Sequence, residues 1–437
     1  MSVIKMITKN LAVAAVGAMA TASVAFAGQI TVIHAGQLLE VPGKAPLKEQ
    51  TLIIEDGHVK AVRKGYVPAS EIDPKAKEVD FKDGFVMPGL MDMHVHLLGQ
   101  LGPKNDYERL HYSNALYGMQ GVMFAKRTLM AGFTTVRDLG DEPEHIFALR
   151  DASAKGWIPA PRIIAAGSPL SATGGHGDVD GMRPDFMHLI TPKTVCDGAD
   201  SCLHAVRYAV KYGADVIKIM ATGGVLSDTS TGTGQQMTDA EMKTICDEAH
   251  SLGRKVAAHA HSAGGINAAL RAGVDSIEHG SYADAESIKL FKKTGAYLVP
   301  TLLAGDTVVH MAKTSNFMPK DIKAKAIRVG GDMLKHFTAD YKAGVKIAFG
   351  TDSGVSHHGM NAEEAILMNK AGMTPMDVLK SATVNAADLA GMSDKLGTLE
   401  PGKIADVVAM HGSPLKDLHE LLDVDFVMKD GKIYKKK

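Results

Sequence analysis

The sequence predicts an α/β protein, a (β/α)8 TIM barrel with a small β-sandwich built from both chain ends. Three observations carry that expectation. Eight short apolar runs alternate with helix-like stretches, the rhythm of βαβ units around a parallel sheet. Several of these runs end in a histidine or an aspartate or carry a lysine, near the strand ends where such a barrel keeps its chemistry. Both ends of the chain carry short strand-like runs, turned at Asp56-Gly57 and Asp430-Gly431.

Along the chain, residues 1–27 come first. Lys5 and Lys9 precede an alanine-rich apolar stretch that closes on Ala25-Phe-Ala27. That is the pattern of a secretory leader, so the mature chain is expected to start near Gly28 and to be periplasmic or secreted. The stretch is short and rich in small residues, which disfavours a membrane anchor, and no cysteine near the cleavage point suggests lipid attachment. No membrane contact is expected once the leader is removed.

Residues 28–85 and 396–437 are the two parts of the expected sandwich. The first holds runs such as Ile30–His34 and Thr51–Gly57, the second Ala405–Ala409 and Phe426–Tyr434. Its expected role is structural, including contacts within a homo-oligomer. Residues 86–395 are the expected barrel, with strands over 86–92, 133–138, 162–167, 214–221, 255–260, 274–279, 297–301 and 346–351. Helices are expected between them, for example over 116–130, 202–212, 239–252, 263–272, 286–293 and 375–386. An open doubly wound sheet would need a Gly-rich phosphate turn after the first strand, and Gly89-Leu-Met-Asp-Met-His94 is not one.

The first barrel strand is the most informative. Two residues apart, His94 and His96 send their imidazoles to one side of the backbone, which suggests half a metal site. Lys218 stands in the β-branched run 213–221, where burying an ammonium is costly. A snorkelling lysine is the plainer reading. The sharper one is an amine of depressed pKa that adds carbon dioxide, giving a carbamate able to bridge two metal ions. His259, His261, His279 and Asp352 close later runs.

These motifs resemble the amidohydrolase superfamily: Pro88-Gly-Leu-Met-Asp-Met-His-Val-His96, Gly132-Phe-Thr-Thr-Val-Arg-Asp138, Lys218, His259, Ile277-Glu-His-Gly280 and Gly350-Thr-Asp352. Thr173-Gly-Gly-His-Gly177 and Ala258-His-Ala-His261 make the Xaa-Pro dipeptidase and carboxypeptidase-like branch most similar, one often labelled imidazolonepropionase-like and containing enzymes that cleave ochratoxin. The resemblance implies that His94, His96 and Asp352 hold one divalent ion, His259 and His279 a second, and N6-carboxylysine at Lys218 bridges both. Zinc suits such a nitrogen and oxygen set. It also implies that a water shared by the ions attacks an amide carbonyl while Asp352, as catalytic residue, carries the proton to the leaving amine. The expected substrate is a dipeptide or an N-acyl amino acid. A lactonase or phosphotriesterase, a cyclic-amide hydrolase of the imidazolonepropionase kind, and a degenerate binding scaffold are the alternatives.

Other residues have weaker claims. His176 in its Gly-rich loop and His261 beside His259 are candidate substrate contacts, as is Tyr282, for which a surface position is the plainer reading. Arg137 and Asp138 read as a structural ion pair, and His357 and His358 as exposed. The loop 222–234 reads as a lid, since it lacks the Gly-Lys-Ser/Thr ending of a phosphate loop. A net charge of −1 over 437 residues gives no reason to expect nucleic acid. In an oxidising compartment Cys196 and Cys202 could pair, leaving Cys246 buried and free.

Overall fold

The computed structural model describes residues 28–227 and 232–437, so the leader read at 1–27 lies outside the described residues. The chain opens with β1 (Ile30–Leu38), β2 (Leu47–Glu55), β3 (His58–Lys64) and β4 (Lys77–Pro88). Asp56 and Gly57 turn β2 into β3 with φ of 48° and 78°, the left-handed pair a tight hairpin demands. β4 stops at Pro88, whose nitrogen has no hydrogen to donate. At Gly89 an added Cβ would lie 2.2 Å from Thr134 Oγ1, so only glycine fits.

The Pro-Gly step divides what the sequence suggested was one strand over 86–92. Val86–Pro88 belongs to the small sheet, and the inner strand β5 (Leu90–Val95) starts after it. β5 is buried along its whole length, as parallel strands covered on both faces are. It runs parallel with β6 (Phe133–Asp138), which in turn pairs with β7 (Arg162–Ala165). A second parallel group holds β8 (Val216–Met220), β9 (Lys255–Ala260), β10 (Ser276–His279), β11 (Tyr297–Val299) and β12 (Lys346–Ile347).

These eight strands give a TIM-barrel-like α/β fold, in two arcs rather than one closed ladder. Hydrogen bonds cross both seams: Leu170 N to Lys218 O at 2.8 Å, and Met93 N to Phe349 O at 2.8 Å. The ladder lapses there because β7 has four residues and β12 only two.

β13 (Val407–Met410), β14 (Phe426–Lys429) and β15 (Lys432–Lys436) return to the first sheet, where β13 pairs antiparallel with β4. The strands of both ends therefore share one seven-stranded sheet instead of two separate ones. β4, twelve residues long, serves both wings, which share a core of Ile33, Leu52, Phe81, Val407 and Phe426.

Helices follow the strands where the pattern placed them. Asp239–Ser251 starts with a capping box, Thr238 Oγ1 accepting from Glu241 N and Glu241 Oε2 from Thr238 N. The expected helix over 375–386 is two, Pro375–Ser381 and Val384–Leu389. Leu302–Thr314 and Lys320–Lys342 were not foreseen. Cys196 and Cys202 form a disulfide, and Cys246 is buried and free. No helix among the described residues is long and apolar enough to cross a membrane.

Candidate metal centre

His94 in β5, His96 just past it, Lys218 in β8, His259 in β9, His279 closing β10 and Asp352 beyond β12 all line one cavity of about 410 Å³. Nε2 of His96 lies 3.1 Å and Nε2 of His94 3.6 Å from Asp352 Oδ1. Despite that proximity Oδ1 is buried without a hydrogen-bond partner among the described residues. The three atoms converge on a common point rather than bonding one another, as ligands to one cation do. The His259 and His279 rings lie 4.6 Å apart, and the His94 ring is 5.2 Å from His279, so the second pair adjoins the first.

The other side of each ring is held. His94 Nδ1 meets Glu278 Oε2 at 2.9 Å, His96 Nδ1 meets Gly140 O at 3.0 Å, and His279 Nδ1 meets Thr301 Oγ1 at 2.7 Å. Partners at Nδ1 orient the rings and leave Nε2 for a ligand. His259 is reversed, with Nε2 at 3.3 Å from Gly223 O and Nδ1 left over.

Two fully buried carboxylates organise this layer. Glu278 accepts from Arg137 Nη2 at 2.9 Å and from the Ser276 hydroxyl at 2.5 Å as well as meeting His94. Arg137 therefore pairs with Glu278 and not with Asp138, whose Oδ2 accepts from Leu97 N. Consecutive residues of a strand face opposite sides, so Arg137 turns one way and Asp138 the other. Asp92 accepts from His94 N, Thr351 N, the Thr351 hydroxyl and Asn361 Nδ2, which locks β5 to the segment before Asp352.

The electrostatics suit a cation. Burial pulls the Lys218 ammonium down to about 8, which makes its neutral amine accessible near neutral pH. Burial, then the Lys218 charge, takes His94 down to about 4, while burial and neighbouring imidazoles hold His259 and His279 well below the usual range. All three are neutral and able to ligate at pH 7. For His96 burial opposes the charge, but the Asp352 carboxylate overcomes it and raises the pKa. A positive charge is favoured at that point, and a divalent ion supplies one.

Both His176 and His261 line the same cavity, their Nδ1 atoms 2.6 Å from Ser227 Oγ and 2.7 Å from Ser281 Oγ. Tyr282 does not reach it: the hydroxyl donates to Asp332 Oδ2 at 3.3 Å, and the plainer surface reading describes it better. His357 is exposed. His358, expected to be exposed as well, is buried, its Nε2 2.8 Å from Gly99 O and its ring against Phe124. Val225 and Leu226 of the expected lid line the cavity, and residues 228–231 lie outside the described residues. Val308, Val329 and Met333 of the two unforeseen helices form an apolar wall. Glu278, Thr301 and Glu364 were missed. Glu278 alone had a signal, a carboxylate one residue before a histidine inside an apolar run.

The amidohydrolase family matches residues 85–434. Ochratoxinase of Aspergillus niger is 34% identical over 433 aligned residues, which cover 93% of this chain and 87% of that protein. A Xaa-Pro dipeptidase with methionine bound in its active site is 38% identical with a TM-score of 0.88, covering 93% of this chain and 100% of that one. A prolidase complexed with N-methylphosphonate-L-proline is 31% identical with a TM-score of 0.82, covering 94% and 100%. This chain belongs to the amidohydrolase family and is a hydrolase acting on amide bonds.

Proposed function

We propose that the protein is an exported, binuclear metal-dependent hydrolase that cleaves the amide of a dipeptide or an N-acyl amino acid. The observation that carries this reading is the convergence of His94, His96 and Asp352 beside the His259–His279 pair, with Lys218 buried in the same cavity. His94, His96 and Asp352 would hold one ion, zinc being suited to them, and His259 and His279 the other. Bound divalent ions would supply Lewis acidity, lowering the pKa of water and polarising a carbonyl.

The chain's own residues do the rest. The neutral Lys218 amine adds to carbon dioxide: its lone pair forms the N–C bond as one C=O π pair moves onto oxygen, the nitrogen gives its proton to water, and a carbamate anion with two oxygen donors stands where the amine was. Burial works to raise the pKa of Asp352, but His94 and His96 hold it below the usual range, so the carboxylate is ionised and can accept the proton that the attacking water loses. It then returns that proton to the leaving nitrogen. His176 and His261 face the acyl side and orient the carbonyl. The wall from Val308 to Met333 excludes water around an apolar side chain.

Export is supported by the leader pattern and by the Cys196–Cys202 disulfide, which suits an oxidising compartment. Residues 86–395 would be the catalytic unit, flanked by the small sheet. The test is Lys218→Ala. It should lower metal content and activity together, and short carboxylic acids should restore part of both by occupying the space of the carbamate. A fully active Lys218→Ala variant would remove the bridging role.

A further inference from the structure

Thr301 occupies an unusual place. It follows β11 and stands at the N-cap position of the helix Leu302–Thr314, where a threonine ordinarily accepts a hydrogen bond from the first helical N–H groups. Here it makes no such bond. Its side-chain oxygen instead lies 2.7 Å from His279 Nδ1, and its backbone is left-handed, φ 50° and ψ 43°. A β-branched residue in that region is strained, and such strain persists only where the surroundings fix it.

The fixing group is Glu364. Its carboxylate is fully buried and accepts from Leu302 N at 2.9 Å and Leu303 N at 2.6 Å, one oxygen to each. A residue 61 to 62 positions away thus caps the helix in place of Thr301. The threonine hydroxyl is released from capping and turned to the histidine. His279 is itself left-handed, with φ 71°, and so is Asp352, with φ 56°. The three remaining non-glycine positions of this kind among the described residues are Glu49, Asp56 and Asp430, all in the small sheet or its turns. In the TIM-barrel-like part the strain is therefore confined to residues that line the candidate metal cavity.

We infer that Thr301 and Glu364 form a positioning pair for His279: Glu364 caps the helix so that the Thr301 hydroxyl can accept from His279 Nδ1. A hydroxyl can donate or accept, and with Nδ1–H donating to it the His279 Nε2 lone pair faces the cavity. The pair sets the tautomer and tilt of one ligand of the second ion. The inference rests on the binuclear reading above.

The experiment compares the full-length mature protein with Thr301→Val, Thr301→Ser and Glu364→Gln, measuring zinc bound per chain during titration with a competing chelator. Thermal melting of the metal-free forms is followed in parallel. Loss of a partner behind a metal-bound histidine typically costs roughly 10- to 100-fold in affinity. Thr301→Val should weaken the second ion by that factor and leave the first near its wild-type affinity. Thr301→Ser, which keeps the hydroxyl, should restore it. Glu364→Gln puts an amide N–H against the helix N–H groups and should weaken the same ion. Wild-type affinity for both ions in Thr301→Val would overturn the inference, as would equal loss in the valine and serine variants. If the wild-type protein bound no zinc, the binuclear reading itself would fail instead.

Discussion

At the scale of residues the site divides into what sequence spacing can show and what it cannot. His94, His96, His259, His279 and Asp352 were legible because each sits at or near the end of an apolar run, and strand ends at one rim converge. Glu364 was not legible, because it acts from a distant helix on two backbone N–H groups. Tyr282 was misplaced since closeness in sequence to His279 says nothing of the direction its ring takes after a turn. Asp352→Asn should lower kcat by roughly 10²- to 10⁴-fold, the range for losing a general base, and steady-state kinetics would show it. His357→Ala should leave kcat/KM near wild type, because that ring is exposed. Asp340 offers a pH test away from the site. Both its oxygens are buried without a hydrogen-bond partner among the described residues, and burial pushes the carboxyl up to about 7. A folded-state pKa above the unfolded one gives stability that is full below about pH 4 and lost as pH rises through the folded value. Asp340→Asn should remove that share of the pH dependence. Its Tm relative to wild type should rise between pH 5 and pH 8, and a constant difference would contradict the assignment.

At the scale of elements, period and punctuation placed most strands and helices, and the misses have local causes. Pro88-Gly89 ended one strand and began another, a break that the unbroken apolar pattern on either side concealed. The wall helices Leu302–Thr314 and Lys320–Lys342 were missed, and the first of them has its cap on a remote side chain where a local signal would stand. The link between elements that matters most is Arg137 of β6 with Glu278 of β10, a buried pair that ties one arc to the other beneath His94. Removing one partner of a buried pair strands the other charge. Arg137→Met should therefore destabilise the protein by about 3–5 kcal/mol in urea unfolding. A change near zero would mean that Glu278 takes up a proton without cost.

At the scale of the whole molecule, the chain closes on itself. β4 carries strands from the start of the chain on one side and from its end on the other, so one sheet joins the two chain ends that flank the barrel-like part in sequence. Asp-Gly turns at both ends suggested a sandwich of the two chain ends, but turn chemistry does not show which strands pair, and the strands of both ends lie in one sheet. The Cys196–Cys202 disulfide spans six positions and ties down a segment whose neighbours Ile190 and Pro192 line the cavity. Closing so short a loop stabilises by about 2 kcal/mol. The double Cys196→Ser, Cys202→Ser variant should lose about that much in denaturant unfolding while still binding metal. On the function proposed above, two metal ions in one cavity hydrolyse an amide. Zinc content and hydrolysis of Xaa-Pro, Xaa-Arg and N-acyl amino acids, measured on one sample of the mature protein, decide between that reading and its rivals. Two ions per chain with cleavage of at least one amide are predicted. A preparation offered zinc that binds none, or one that cleaves these amides equally well after the metal is stripped, would contradict the account.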